Sequence, residues 1–120
     1  MKDFTRRTIV AALGATLSGR PVVSVYDYAR KQAFSYSAEA EENLINGFDH
    51  DRGHHIAGSI EKDTIQLYDS GLEKRITIFV RGVAFSGYDY DTRTYFSGTV
   101  EGDSINLVDH ENGINYRFLI

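Results

Sequence analysis

The feature that most constrains the fold is a spacing of 40 residues. Writing Gly47 to Val80 above Gly87 to Ile120 gives 34 ungapped pairs with nine identities: Gly47/Gly87, Asp49/Asp89, Asp51/Asp91, Gly58/Gly98, Glu61/Glu101, Asp63/Asp103, Ile65/Ile105, Leu67/Leu107 and Asp69/Asp109. Chance gives about two at ordinary residue frequencies. Phe48/Tyr88, Ser59/Thr99, Ile60/Val100 and Ile78/Phe118 are conservative besides. A chain with such an internal period builds its core from stacked or circularly arranged copies of one supersecondary unit. A third copy lies upstream, where Thr16-Leu17-Ser18-Gly19 and Val23 to Asp27 align with Thr99 to Gly102 and Ile105 to Asp109, one residue being inserted near Pro21. Phe34 and Tyr36 then fall opposite Ile76 and Ile78, and Thr16 to Gly19 is expected to be a strand ending in a turn.

Within each copy the apolar residues recur every second position, as in Ile56-x-Gly58-x-Ile60, Ile65-x-Leu67 and Ile76-x-Ile78-x-Val80. That is the period of strands, whose successive side chains point to opposite faces. Gly102-Asp103 suits a two-residue turn with positive φ at its first position, Lys62-Asp63 is a poorer version of it, and Asn112-Gly113 suits a hairpin turn before Tyr116 to Ile120. The sequence therefore predicts an all-β single domain over 1–120, with copies at about 1–41, 42–81 and 82–120. The expected form is a closed pseudo-threefold arrangement, a β-trefoil or β-prism, because closure removes exposed edges; the alternative is a two-sheet antiparallel sandwich. Ser37 to Leu44 is expected as a solvated connection, with one or two helical turns as its alternative. Tyr26, Tyr68, Phe79 and Leu119 alternate away from the core positions Val25, Leu67, Ile78 and Phe118, which predicts a second face that is either covered or sticky, covering being favoured.

Composition narrows function mainly by exclusion. A net charge of −4 gives no electrostatic reason to expect nucleic acid or an anionic membrane as partner. No apolar run reaches the roughly 18 residues of a membrane-spanning helix. The absence of Cys leaves neither disulfides nor thiolate metal ligands. Lys2, Arg6 and Arg7 ahead of Thr8 to Leu17 have the charge and apolar order of an export signal. Since the third copy claims part of that segment, a cytoplasmic address is the first expectation and export the alternative.

The residues with chemical potential are aromatic and acidic. Tyr26-Asp27-Tyr28, Phe48-Asp49-His50-Asp51, Tyr68-Asp69 and Tyr88-Asp89-Tyr90-Asp91 recur at strand ends. Rings that cover the apolar face of a sugar beside carboxylates that accept from its hydroxyls make Tyr26, Tyr28, Tyr68, Asp69, Tyr88, Asp89 and Tyr90 candidate ligand contacts. The competing reading has Asp capping turns and Tyr pairing across strands. Asp49, His50, Asp51 and His54 are weak metal candidates, because the twelfth position of a calcium loop counted from Asp49 is Ile60 and because His54 and His55 point to opposite faces of a strand. No phosphate loop, nucleophile elbow or dinucleotide fingerprint is present, so no cofactor is indicated. The expected function is a noncatalytic binding module for a protein or carbohydrate. A small glycan hydrolase using Glu61 or Glu101 with a nearby Asp, and a self-assembling β protein, are the alternatives.

The string Tyr95 to Leu107, YFSGTVEGDSINL, with the Tyr-Asp-Tyr elements, resembles small uncharacterised bacterial β-repeat proteins in which an FSGxVxGxxIxLYD pattern recurs. Val108 stands where that pattern has Tyr. The resemblance implies a hairpin-based fold and no particular site.

Overall fold

A computed structural model describes residues 1–120 as one helix, α1 (Asp3–Ser18), followed by ten strands: β1 (Val22–Asp27), β2 (Gln32–Glu41), β3 (Leu44–Asp49), β4 (His54–Glu61), β5 (Thr64–Asp69), β6 (Lys74–Arg81), β7 (Ala84–Asp89), β8 (Thr94–Glu101), β9 (Ser104–Asp109) and β10 (Ile114–Leu119). Every strand pairs antiparallel with its sequence neighbour, and β1 pairs with β10, so the sheet closes into a barrel. The all-β, closed, hairpin-built expectation holds in this form. The threefold closure does not, since the strands form five hairpins in up-and-down order around one axis, with neither trefoil crossovers nor a second sheet to make a sandwich.

The structural unit, in the second to fourth hairpins, is 20 residues long: a six-residue strand ending in Asp, a four-residue turn, an eight-residue strand and a two-residue turn, with β2 longer in the first hairpin and β10 shorter in the last. Two units make the 40-residue period, and the lumen explains why the longer spacing is the visible one. The second and fourth hairpins put Gly47, Gly58, Gly87 and Gly98 inward, whereas the third and fifth put Leu67, Ile78, Leu107 and Phe118 at the same positions. Glycines let neighbouring large side chains lie across the wall. A Cβ on Gly87 would stand 2.4 Å from the Phe96 ring, and one on Gly98 would stand 1.9 Å from the Asn106 carbonyl oxygen and 2.5 Å from the Phe85 ring. Alternating small and large residues is how a narrow barrel fills itself.

The rest of the lumen is filled by α1. Ile9, Val10, Ala11, Ala12, Leu13 and Ala15 are each at most 1% exposed. A helix apolar on all sides has to be buried on all sides, and here the strands surround it. Two expectations about elements are corrected. Thr16 to Gly19 is not a strand but the last helical turn, closed by Gly19 at φ 67° with its N–H donating to the Ala15 carbonyl. The stretch from Thr8 to Ala15 is helical and fills the barrel. Ser37 to Glu41 is neither a loop nor a helix but part of β2.

The outer wall is not covered either: Tyr68, Phe79 and Leu119 are exposed, while Val25, Leu67, Ile78 and Phe118 are buried as expected. Between the turns that wall presents Ser35, Ser37, Asn46, Ser59, Gln66, Ser86, Ser97 and Asn106, a belt of hydroxyls and amides. No helix is long and apolar enough to cross a membrane. Closure leaves most backbone groups paired along the wall, but the seam is short: Tyr26 meets Leu119 and Asp27 meets Phe118, whereas most neighbouring pairs share six residues.

Candidate functional site

Each hairpin places its strand-end aspartate at the same end of the barrel, giving a ring of Asp27, Asp49, Asp69, Asp89 and Asp109, none more than 3% exposed. The local reason is a turn. In every unit Oδ1 accepts from the backbone N–H two residues on, at 2.9–3.0 Å, and in the first three units also from the third. The last turn residue then adopts positive φ, 53–57° at Lys31, Glu73 and Arg93 and 72° at Gly53 and Gly113. Asn112-Gly113 thus closes a four-residue Asp-capped turn, not a two-residue one.

The second oxygen, Oδ2, is met by cations in four of the five units. Arg6 and Arg7, in the first turns of α1, pair with Asp109 at 3.0 Å and Asp27 at 3.2 Å. Arg52, from the turn after β3, reaches Asp49 at 2.7 Å and Asp69 at 2.6 Å, with a second bond to Asp69 at 3.2 Å. All three guanidinium groups also stack on rings, Arg6 on Tyr116 at 3.7 Å, Arg7 on Phe34 at 3.6 Å and Arg52 on Phe4 at 4.0 Å. Planar guanidinium groups that both hydrogen-bond and stack suit a half-dry ring of carboxylates, and the positive end of the helix dipole lies at the same end. The Arg52 guanidinium is held protonated even more firmly than usual, its bonds to Asp69 and Asp49 outweighing the opposing effect of burial. Asp89 differs: its side-chain partner is the Thr92 hydroxyl at 2.9 Å, and burial pushes its carboxyl above the ordinary range. Tyr36, donating to Asp49 at 3.3 Å, is pushed well up by burial and by that carboxylate.

The candidate ligand contacts therefore divide. Asp69 and Asp89 are buried turn caps and do not face solvent. The tyrosines lie outside, one row from the ring. Tyr88 packs edge-on against Tyr90 and Tyr95, with centroids 4.8 Å apart in both pairs, and Arg75 lies 5.3 Å from the Tyr90 ring. Tyr26 and Tyr28 form a second pair at 4.9 Å, with Arg117 over Tyr28 at 5.0 Å, and Tyr68 is exposed beside Arg75 in register. Tyr95, 66% exposed, joins the Tyr88 cluster although sequence reasoning did not single it out; its cross-strand position opposite Tyr88 is visible only once the hairpin register is known.

The metal constellation is not assembled. Asp49 is committed to Arg52, His50 shares a hydrogen bond with Ser37 at 2.7 Å, and no three His, Asp or Glu side chains are grouped to hold a metal ion. Glu61 and Glu101 do not pair with each other, since they end β4 and β8 four strands apart on the exterior, about 19 Å around the wall at about 4.8 Å per strand, whereas Glu61 shares a shallow depression with Asp63. Paired glycosidase carboxyls stand about 5–9.5 Å apart. No family model, curated protein or solved structure matches the chain.

Proposed function

We propose that the protein is a noncatalytic binding module whose contact surface is the tyrosine cluster on the outer wall of β7 and β8, and that its ligand is a carbohydrate. The observation that carries the reading is the Tyr88–Tyr90–Tyr95 cluster: two of its rings, Tyr90 at 43% and Tyr95 at 66%, are open to solvent on a rigid wall. Edge-on packing against Tyr88 fixes the rings, so little side-chain freedom is lost on binding. Around them stand groups able to meet sugar hydroxyls: Arg75, Ser86, and Ser97, which shares a hydrogen bond with His110 at 2.8 Å. A ring platform with neighbouring donors and acceptors is the pattern a sugar requires. The buried aspartates contribute by holding the turns that carry Tyr28 and Tyr90, not by touching ligand.

The test is a glycan-array screen of the full chain beside Tyr95→Ala and Tyr90→Ala, with circular dichroism to confirm folding. A glycan signal lost in both folded variants supports the reading. Silence of the folded wild type on all glycans overturns the carbohydrate assignment and leaves the protein-partner form of the same surface, tested by affinity capture that Tyr95→Ala abolishes.

A further inference from the structure

The opposite end of the barrel, where the two-residue turns lie, is built differently. There α1 leans toward β1, β2 and β3 and stands away from β6 to β9. The space left is a cavity of about 440 Å³ between the last helical turns and the far wall, with Gly14, Leu17, Val83, Val100 and Ile120 forming its apolar sides. Gly14 lets Ile120 close over the helix, since a Cβ there would stand 2.5 Å from the Ile120 side chain. The volume falls within the usual range of small-molecule sites, about 300–1,000 Å³.

Its mouth is electronegative because helix dipole and side-chain charge add. The carboxyl end of α1 points into it, and the last turn of that helix has no basic residue. Asp103 stands on the rim. Around this end of the barrel the strand ends and turns carry Glu41, Glu42, Glu61, Asp63, Glu101 and Asp103 against Arg20, Lys62 and Arg81. Arg20 meets Asp103 at 3.3 Å, with both side chains more than half exposed, so that pair is weak and exchangeable. The carboxyl end of a helix, a carboxylate and an apolar wall together complement one kind of molecule.

We infer that this cavity is a binding site for a small organic cation with an apolar body, an amphipathic amine whose hydrocarbon part lies against Leu17, Val83, Val100 and Ile120. Its ammonium group takes the place of the Arg20 guanidinium at Asp103 and faces the helix carbonyls. The site is independent of the tyrosine surface at the other end.

Titrating the full-length protein with octyltrimethylammonium and with octanoate, both below micelle formation, and following backbone amide shifts by NMR, tests this. The expected result is shifts confined to residues 14–22, 82–84, 100–104 and 120, and an affinity for the ammonium compound about tenfold above that for octanoate. Asp103→Asn is expected to weaken the ammonium compound about fivefold and Arg20→Ala to strengthen it, both being exposed positions where folding is insensitive to the change. Val83→Trp, in an exposed turn, should occlude the cavity and abolish the shifts. Equal binding of both amphiphiles, shifts spread over the outer wall, or binding indifferent to Val83→Trp would each overturn the assignment.

Discussion

Replacing Asp by Asn at two equivalent places in the ring separates turn capping from charge pairing. The amide oxygen of Asn can still accept the turn N–H bonds, from Gly71 and Leu72 at position 69 and from Asp91 at position 89. What differs is the partner of the second oxygen. Arg52 donates to Oδ2 of Asp69 at 2.6 Å and also to its turn-capping Oδ1 at 3.2 Å, at 0% exposure. Breaking a buried pair costs about 3–5 kcal/mol, and because Arg52 keeps Asp49 the lower end applies, about 3 kcal/mol for Asp69→Asn. Asp89 has no guanidinium partner, and its raised carboxyl makes the ionised form a liability at neutral pH. Its favourable contribution is present below the ordinary carboxyl value and lost as pH rises through the folded value. Asp89→Asn is therefore expected to be neutral or stabilising by up to about 1 kcal/mol at pH 7, an advantage that shrinks as pH falls toward 4. Urea unfolding with a common m-value measures both; at about 4 °C per kcal/mol, Tm should fall by about 12 °C for Asp69→Asn and hold or rise for Asp89→Asn. Equal losses in the two variants would refute the reasoning and assign the ring's contribution to its turns alone.

Gly98→Ala is expected to destabilise by at least about 3 kcal/mol in the same assay, because its Cβ meets a backbone oxygen that cannot move without breaking the β8–β9 ladder. Leu13→Ala, in the middle of the plug, should cost about 3 kcal/mol without altering the barrel's far-UV spectrum. In an alkaline spectrophotometric titration Tyr36 should stay protonated well beyond pH 10. Its contribution to stability is complete below the ordinary tyrosine value and declines as pH rises above it, so the Tyr36→Phe variant should lose less stability than wild type between pH 10 and 11.

What the sequence made legible was whatever depends on neighbours along the chain. Alternation at Ile65-x-Leu67 and Ile76-x-Ile78, and the turn at Gly102-Asp103, report strand and hairpin directly, and the structure has both. The 20-residue unit stayed hidden although Asp49, Asp69, Asp89 and Asp109 mark it, because glycine in alternate hairpins makes residues 40 apart look more alike than residues 20 apart. The helix failed for a related reason. Periodicity reveals a helix only if one side is polar, and Ile9 to Leu13 has none, since strands lie on every side of it. Arg6 and Arg7 ahead of an apolar stretch have the order of an export signal, while their partners in the fold, Asp109 and Asp27, are far away in sequence and out of reach of any local reading. The tyrosine cluster was half legible for the same reason: Tyr88 and Tyr90 stand together in the chain, while Tyr95 joins them only across the hairpin.

A barrel filled by its own leading helix imposes an order of events on folding. Residues 3–18 leave the ribosome before any strand exists to receive them, and Arg6 must wait for Asp109, 103 residues later, to find its partner. Until then the chain carries a bare apolar helix, and hairpins formed in sequence have an open edge at β1 that only β10 can close. Contacts between the two extremes of a chain are the slowest to form and leave sticky surfaces waiting longest. A permuted chain that delivers α1 after the strands, through a linker long enough to run from Ile120 at one end of the barrel to Met1 at the other, would fold against a preassembled wall and escape that delay.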